Sequence, residues 1–570
     1  MTAHFRTLFL CLAGFLVGRI FVFPGFLDPA TPSHEDLYRY YLISQSQWEV
    51  AMWLKPRPLM LAFLHLVGGV FPEINALWMV LSITSVLFVT SLIVLLRYTK
   101  MVEPSNGSIF LFSLLVFSLP SSWEIYQLDY GGMLSGIIGV AAIYARFKYK
   151  DNSLTLSTGL PLALFWLAIE TKPTFGAVIL FLSLLDAYFK RNKSSIFLVS
   201  GIIAISVLVI VKDKLLGSPF VHFDESGGIY SVQFGHSQNI TALLAYISSA
   251  LPVFILPGLG LGYYLWWRRQ RDLKSIALFP ILAVMAILPM VLIPNRILTF
   301  YSWYSSVFFL MPVLGIFVNK SSDVQATSKF AALLTVCLIA IALIIGGIKN
   351  KPLAIYDRNL SKFNNNVLDD LNVIKANSLN WTNKKVLIAG MQGPYHPFKN
   401  SAFIQMQTHL PNYILLQRNS EVEWNKAETN LYSATYLSNI DYSIYDIYVV
   451  FDSNGKLNKI LSAENIMKIP KWWQSAVVFC ASDPDVKHIT YQDYENVLAC
   501  FNYAGEGAEV KQLIKANQYN FQLGPLGYFY LGNAYKSLKE PILAKESYTK
   551  ALSFGENIWF REALNSITTE

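Results

Sequence analysis

Two adjacent carboxylates, Glu35 and Asp36 in "SHEDLYRYY", stand just after the first apolar run of the chain. A carboxylate so placed can take a proton from a hydroxyl as that hydroxyl attacks an electrophilic carbon. Asp36 is the expected general base, with Glu35 or Asp129 assisting. Cations lie nearby in the sequence or in comparable segments: Lys55 and Arg57 in "WLKPRPL", Lys172 in "LAIETKPTFG", and Arg296 in "IPNRILTFYSW". Lys and Arg hold a phosphate leaving group, Arg in a bidentate fork. Glu124 falls in the same segment as Asp129, "SSWEIYQLDYGG". Tyr40 follows Asp36 by four residues, on the same face of a helix, where it can line a site.

Each of these residues also has a plainer role. Glu35 and Arg39 are spaced as a helical ion pair worth about 0.2–0.5 kcal/mol. Asp36 complements a helix N-terminus after Ser33, and Asp129 caps one before Gly131. Lys55 and Arg57 can snorkel to lipid headgroups. His222, Asp224, Glu225 and His236 share one segment but keep no metal-ligand spacing, so a surface loop is the expected reading and no metal site is assigned. The residues leave the cofactor open, a divalent metal included.

The elements that would position these groups are set by composition. The chain has 570 residues, 54% hydrophobic and only 14% charged, with a formal net charge of +8. Mean hydropathy is +0.39. These values point away from a soluble globular domain and towards a polytopic α-helical membrane protein. At about 20 apolar residues per span, about eleven spans are predicted. They lie near 8–27, 76–96, 107–122, 131–146, 156–169, 173–189, 195–211, 241–265, 276–294, 298–318 and 329–348. Basic clusters follow every second run: Arg97/Lys100, Arg146/Lys148/Lys150, Lys190/Arg191/Lys193, Arg268/Arg269/Arg271/Lys274 and Lys320/Lys329. The positive-inside rule then puts those loops and the N-terminus in the cytoplasm, and the acids with Lys172 and Arg296 on the outer face. Excess positive charge here anchors loops and does not indicate a nucleic-acid partner. Ionisable groups at membrane depth are costly and usually functional.

Three domains are predicted: 1–350 in the membrane, an extracytoplasmic α/β domain over 351–505, and a helical segment over 506–570. "KKVLIAG", "YDIYVVFD" and "SAVVFCAS" read as buried strands of the α/β part. Cys480 and Cys500 can pair if this third faces an oxidising compartment, and otherwise are two separate thiols. The last segment, "YFYLGNAYKSLKEPILAKESYTKAL", resembles one tetratricopeptide repeat through Tyr528, Leu531, Gly532, Tyr535, Ala544, Tyr548 and Ala551, with Glu556 in place of the usual terminal proline. A weaker copy carries Tyr494, Leu498 and Phe501. Such helices offer a surface for a protein partner.

Residues 1–345 resemble the GT-C superfamily of membrane glycosyltransferases, which includes protein O-mannosyltransferases, lipid A aminoarabinose transferases and O-antigen-modifying glucosyltransferases. The resemblance rests on Glu35-Asp36, on Trp53 to Leu59, on "LAIETKPTFG" and on "PNRILTFYSWY". It departs from the family in the Glu-Asp order, in the proline after Lys172 and in the repeat-like C-terminus. It implies a polyprenyl-phosphate sugar donor and transfer, with inversion, to a hydroxyl of a surface glycan, glycolipid or protein at the outer face of a cytoplasmic membrane. Asp36, Glu35 and Asp129 would be catalytic. Lys55, Arg57, Lys172, Arg296, Tyr40 and Glu124 would bind substrate. A glycan polymerase or ligase using diphosphate-linked donors is the rival enzyme, and a membrane transporter or assembly scaffold the rival non-enzyme. The 213–240 segment lacks the arginines of the first rival, and no inverted repeat supports a transporter.

Overall fold

The computed structural model describes residues 3–22, 58–71, 74–99, 101, 103–119, 130–172, 175–215, 237–252, 255–270, 273–292, 301–315, 325–381, 383–391, 397–399, 404, 407–410, 413–416, 432–433, 441–518 and 520–568. The chain divides into two compact units, Met1–Arg358 and Asn359–Glu570.

The first unit is helical. Its helices are α1 (Ala3–Val22), α2 (Pro58–Val70), α3 (Ile74–Tyr98), α4 (Asn106–Ser118), α5 (Tyr130–Lys148), α6 (Leu160–Thr171), α7 (Gly176–Lys190), α8 (Lys193–Leu215), α9 (Ser237–Ala250), α10 (Leu256–Gln270), α11 (Leu273–Val291) and α12 (Ser302–Leu310). The long α13 (Gln325–Ser378) carries the chain into the second unit. Helix α1 lies close along α4 because Gly14 and Gly18 face it. A Cβ at Gly14 would sit 2.7 Å from Ser113 Cβ, and one at Gly18 2.9 Å from Ser118 Oγ. Small residues four apart let two backbones approach in this way. The core is aromatic. Phe175 packs edge-on against Phe88 and Tyr304, and the indole N–H of the buried Trp303 donates to the Val116 carbonyl at 3.0 Å.

The expected eleven-span membrane fold is corrected here. Among the described residues one helical stretch, Lys193–Lys212, is long and apolar enough to cross a membrane, with mean hydropathy 2.7. Three of the other apolar runs are interrupted. The run 241–265 divides around Pro252 into α9 and α10, and 298–318 becomes the nine-residue α12 followed by a 3-10 turn, Met311–Gly315. The run 156–169 starts as a π turn, Thr155–Gly159, before α6. A run of apolar residues serves a buried core helix as well as a span. Trp303, Tyr304, Phe112 and Phe88 are such core residues, fully buried inside the unit.

The second unit holds a five-stranded sheet in the order β3-β2-β1-β4-β5. The strands are β1 (Val386–Ala389), β2 (Tyr413–Leu416), β3 (Tyr432–Ser433), β4 (Ile447–Phe451) and β5 (Leu457–Ser462). The first four run parallel and β5 is antiparallel to β4. Buried apolar runs such as "VLIA" and "IYVVF" suit a parallel sheet covered on both faces. The β4–β5 turn is fixed by Gly455, with φ +79°, where a Cβ would meet the Phe363 carbonyl oxygen at 2.4 Å.

The run "SAVVFCAS", expected as a strand, is the end of a helix and the residues just after it. After the short α14 (Ala463–Met467), helix α15 (Lys471–Phe479) buries Trp473, Ala476, Val477 and Val478. A short apolar run with no polar alternation fits either element. Helices α16 (Tyr491–Ala504), α17 (Gly507–Asn517), α18 (Pro525–Ser537), α19 (Pro541–Leu552) and α20 (Ile558–Thr568) complete the unit. Helix α16 opens with a capping box, Thr490 and Asp493. Helices α18 and α19 form an antiparallel hairpin: a Cβ at Gly532 would meet the Tyr548 ring at 2.4 Å, and Tyr548 Oη donates to Asn533 Oδ1 at 2.6 Å. Leu387, Tyr448, Trp473, Phe501 and Tyr530 belong to one apolar cluster, so the sheet and these helices share a core.

Cys480 and Cys500 are joined. Closing a loop of 20 residues removes chain entropy from the unfolded state, about 3 kcal/mol at 25 °C. Cys500→Ser is therefore expected to lower the stability of this unit by roughly that amount, read as faster amide exchange over 441–568. The 480–500 linkage itself is expected in a non-reducing peptide map.

Glu506 and Glu509 enter this core at the start of α17, and Glu509 is 4% exposed. Helix N-termini favour acids, but burial wins here. Burial, and then the neighbouring Glu506 carboxylate, push Glu509 up to about 7. A raised carboxyl pKa stabilises the fold below its unfolded value and withdraws that stability as pH rises towards the folded one. The unit is expected to lose roughly 3 kcal/mol between pH 4.5 and 7 through this group. Glu509→Gln should abolish that part of the pH dependence in amide exchange.

Candidate functional site

Lys172 is the one expected site residue among the described residues. Asp36, Glu35, Asp129, Lys55, Arg57, Arg296, Tyr40 and Glu124 lie outside them, as do His222, Asp224, Glu225 and His236. Lys172 caps α6 in extended backbone (φ −167°, ψ 137°) and stands at the junction with α7. Three contacts fix it. Its N–H donates to the Ala168 carbonyl at 3.0 Å, and its carbonyl accepts from Ser135 Oγ of α5 at 2.6 Å. Its ammonium donates to Tyr301 Oη at 3.0 Å and lies 5.0 Å from the centre of that ring. Ser135 is buried, so the peptide is held from inside the unit while the side chain is half-buried. An ammonium carries three donors, and one of them is given to this phenol.

A second ionic contact stands two residues away. Glu170, 7% exposed, pairs with Lys212 near the end of α8. A carboxylate this buried requires its cation: pairing offsets a desolvation cost that either partner alone would bear. The pair therefore ties the α6 C-terminus to α8 beside Lys172.

The far ends of the same helices are joined by a third cluster. Arg146 of α5 is 6% exposed. It donates to Asp186 Oδ2 of α7 through Nε at 3.0 Å and through a terminal nitrogen at 2.8 Å. It also donates to the Ser157 carbonyl at 2.9 Å, to Ser194 Oγ at 2.7 Å and to Ser195 Oγ at 2.6 Å. Lys190 meets the other Asp186 oxygen at 2.6 Å. The chain thus runs up and down through α5, α6, α7 and α8, with polar knots at both ends. Arg146 joins one end, and Ser135–Lys172 with Glu170–Lys212 the other.

Sequence spacing did not reach these partners. Arg146 looked like a loop anchor, and its carboxylate lies 40 residues on. Ser135 and Lys212 carried no motif. The one signal in the sequence that could have found this pair is that Lys212 closes one apolar run and Glu170 another.

Among the described residues no three His, Cys, Asp or Glu side chains come together to hold a metal. No family model, curated protein or solved structure matches the chain.

Asp186→Ala leaves a buried guanidinium without its carboxylate. It is expected to destabilise the first unit by about 3–5 kcal/mol, measured by thermal unfolding of the full chain. Lys150→Ala, at an exposed pair, is expected to change stability by less than about 1 kcal/mol.

Proposed function

We propose that the chain is an inverting glycosyltransferase that moves a sugar from a polyprenyl-phosphate donor to an acceptor hydroxyl at a membrane's outer face. The observation that carries this reading is Lys172, held between a buried serine and Tyr301 at the joint of two helices. Its ammonium is the donor for the phosphate, with Tyr301 fixing its direction. Asp36 takes the proton of the acceptor hydroxyl. The hydroxyl oxygen bonds to the anomeric carbon as the carbon–oxygen bond to phosphate breaks, and the leaving charge is met by cations. Glu35 or Asp129 assists, and Lys55, Arg57 and Arg296 are further phosphate contacts, with Tyr40 and Glu124 towards the sugar.

Two observations support a membrane seat. Lys193–Lys212 meets the requirements of a span, and Ile203, Val207, Leu208 and Val211 on it are exposed. Large apolar side chains so exposed suit a lipid surface. The Cys480–Cys500 bond suits an oxidising compartment for residues 359–570, periplasmic or extracellular. Its helical hairpins offer the acceptor or a protein partner a surface.

Lys172→Met is expected to lower transfer roughly 10- to 100-fold, the loss of one charge-assisted hydrogen bond, with the protein inserted at normal level. Tyr301→Phe should lower it less. Asp36→Asn should abolish transfer of the sugar in cells. Normal surface glycan with Lys172→Met, in cells where removing the whole chain deletes a sugar, counts against Lys172 as the phosphate contact.

A further inference from the structure

An apolar cavity of about 90 Å³ lies within the first unit, between α3, α5, α7, α11 and α12. Leu96, Val140, Ile179 and Leu282 form its walls, and Thr99 is its single hydroxyl-bearing side chain. A wholly apolar space of this size stays dry and takes apolar ligands. Phe175 lines it and packs against Phe88 and Tyr304, which do not line it. Neither Lys172 nor Tyr301 lines it, so the cavity is separate from the candidate phosphate site.

Its other end is marked by Thr99 and the exposed Phe147. Helices α3, α5 and α7 all finish at this end, with Arg97, Arg146, Lys148 and Lys190 in or beside their last turns. Arg97 is committed to Thr7 Oγ1 at 2.5 Å and to the Pro104 carbonyl, and Arg146 to Asp186. Lys190 lies 6.0 Å from the centre of the Phe147 ring, and the exposed Lys148 lies over Tyr144 and Tyr149. Asp186, the nearby acid, is shared by Arg146 and Lys190. The cavity therefore opens among cations and aromatic rings, the pattern that recognises an anionic headgroup above an apolar chain.

We propose that this cavity holds the end of one acyl chain of an anionic glycerophospholipid, whose phosphate lies at Lys148 and Lys190. The charge at the cavity's end selects that occupant over a zwitterionic lipid. The inference rests on the membrane seat proposed above, and it assigns a lipid other than the sugar donor. Such a lipid would brace α3, α5 and α7 at the end opposite Lys172.

The test is native mass spectrometry of the full chain extracted from membranes in mild detergent, with exchange against vesicles of phosphatidylglycerol, phosphatidylcholine or polyprenyl phosphate. One phosphatidylglycerol per chain is expected to remain bound. Val140→Phe fills the cavity and should lower that occupancy at least about tenfold, the loss of roughly two buried methylenes. Leu182→Phe intrudes on the same space from α7, so failure of one variant to fold leaves the test intact. Lys148→Gln with Lys190→Gln should remove the preference for phosphatidylglycerol over phosphatidylcholine. Equal retention by the filled variants, preference for phosphatidylcholine or polyprenyl phosphate, or no bound lipid on a chain recovered from membranes would overturn the proposal. A chain released from membranes by alkaline carbonate would instead refute the membrane seat.

Discussion

The Arg146 guanidinium is buried among one carboxylate and three neutral oxygens, drawn from α7, the π turn before α6 and the start of α8. A cation there is tolerable only with those partners in place, because desolvation costs several kcal/mol. That requirement fixes how four consecutive segments stand side by side. Once one end is fixed, rigid helices set the other, about 17 to 28 Å away at the helical rise of 1.5 Å per residue. There the same segments present Ser135, Lys172, Glu170 and Lys212. The geometry of the candidate site is thus inherited from a polar knot that takes no part in its chemistry.

Apolar packing is less directional and fills the space between the knots. Phe88, Phe175, Trp303 and Tyr304 interlock edge-on, and Gly14 and Gly18 bring α1 close to α4. In the second unit the same division recurs. A parallel sheet and its helices share one apolar core, a disulfide joins α15 to α16, and two buried carboxylates sit at the start of α17.

Lys172 was legible in the sequence because a cation between two apolar runs, with almost no loop, has few structural reasons to be there. Its partners were not, since Ser135 and Tyr301 lie 37 and 129 residues away. Strands β1 and β4 were legible as buried apolar runs bounded by turns. "SAVVFCAS" was misread because eight consecutive apolar or small residues carry no period. The eleven spans failed for a related reason. Hydropathy counts apolar residues without saying what they bury against, and Trp303 or Phe112 is as apolar inside a core as in lipid. Cys480 and Cys500 could be nominated as a pair from their setting, but only the packing of α15 against its neighbours brings them together.

The central claim is that this chain transfers a sugar from a lipid-linked phosphate donor. The most direct measurement compares cells with and without the chain, scoring surface-glycan composition together with the pool of polyprenyl-phosphate sugar. Transfer predicts loss of one sugar from the glycan and accumulation of the matching donor when the chain is absent. An unchanged glycan with an unchanged donor pool would contradict a transferase and leave the helical hairpins of the second unit as the part whose role must be found.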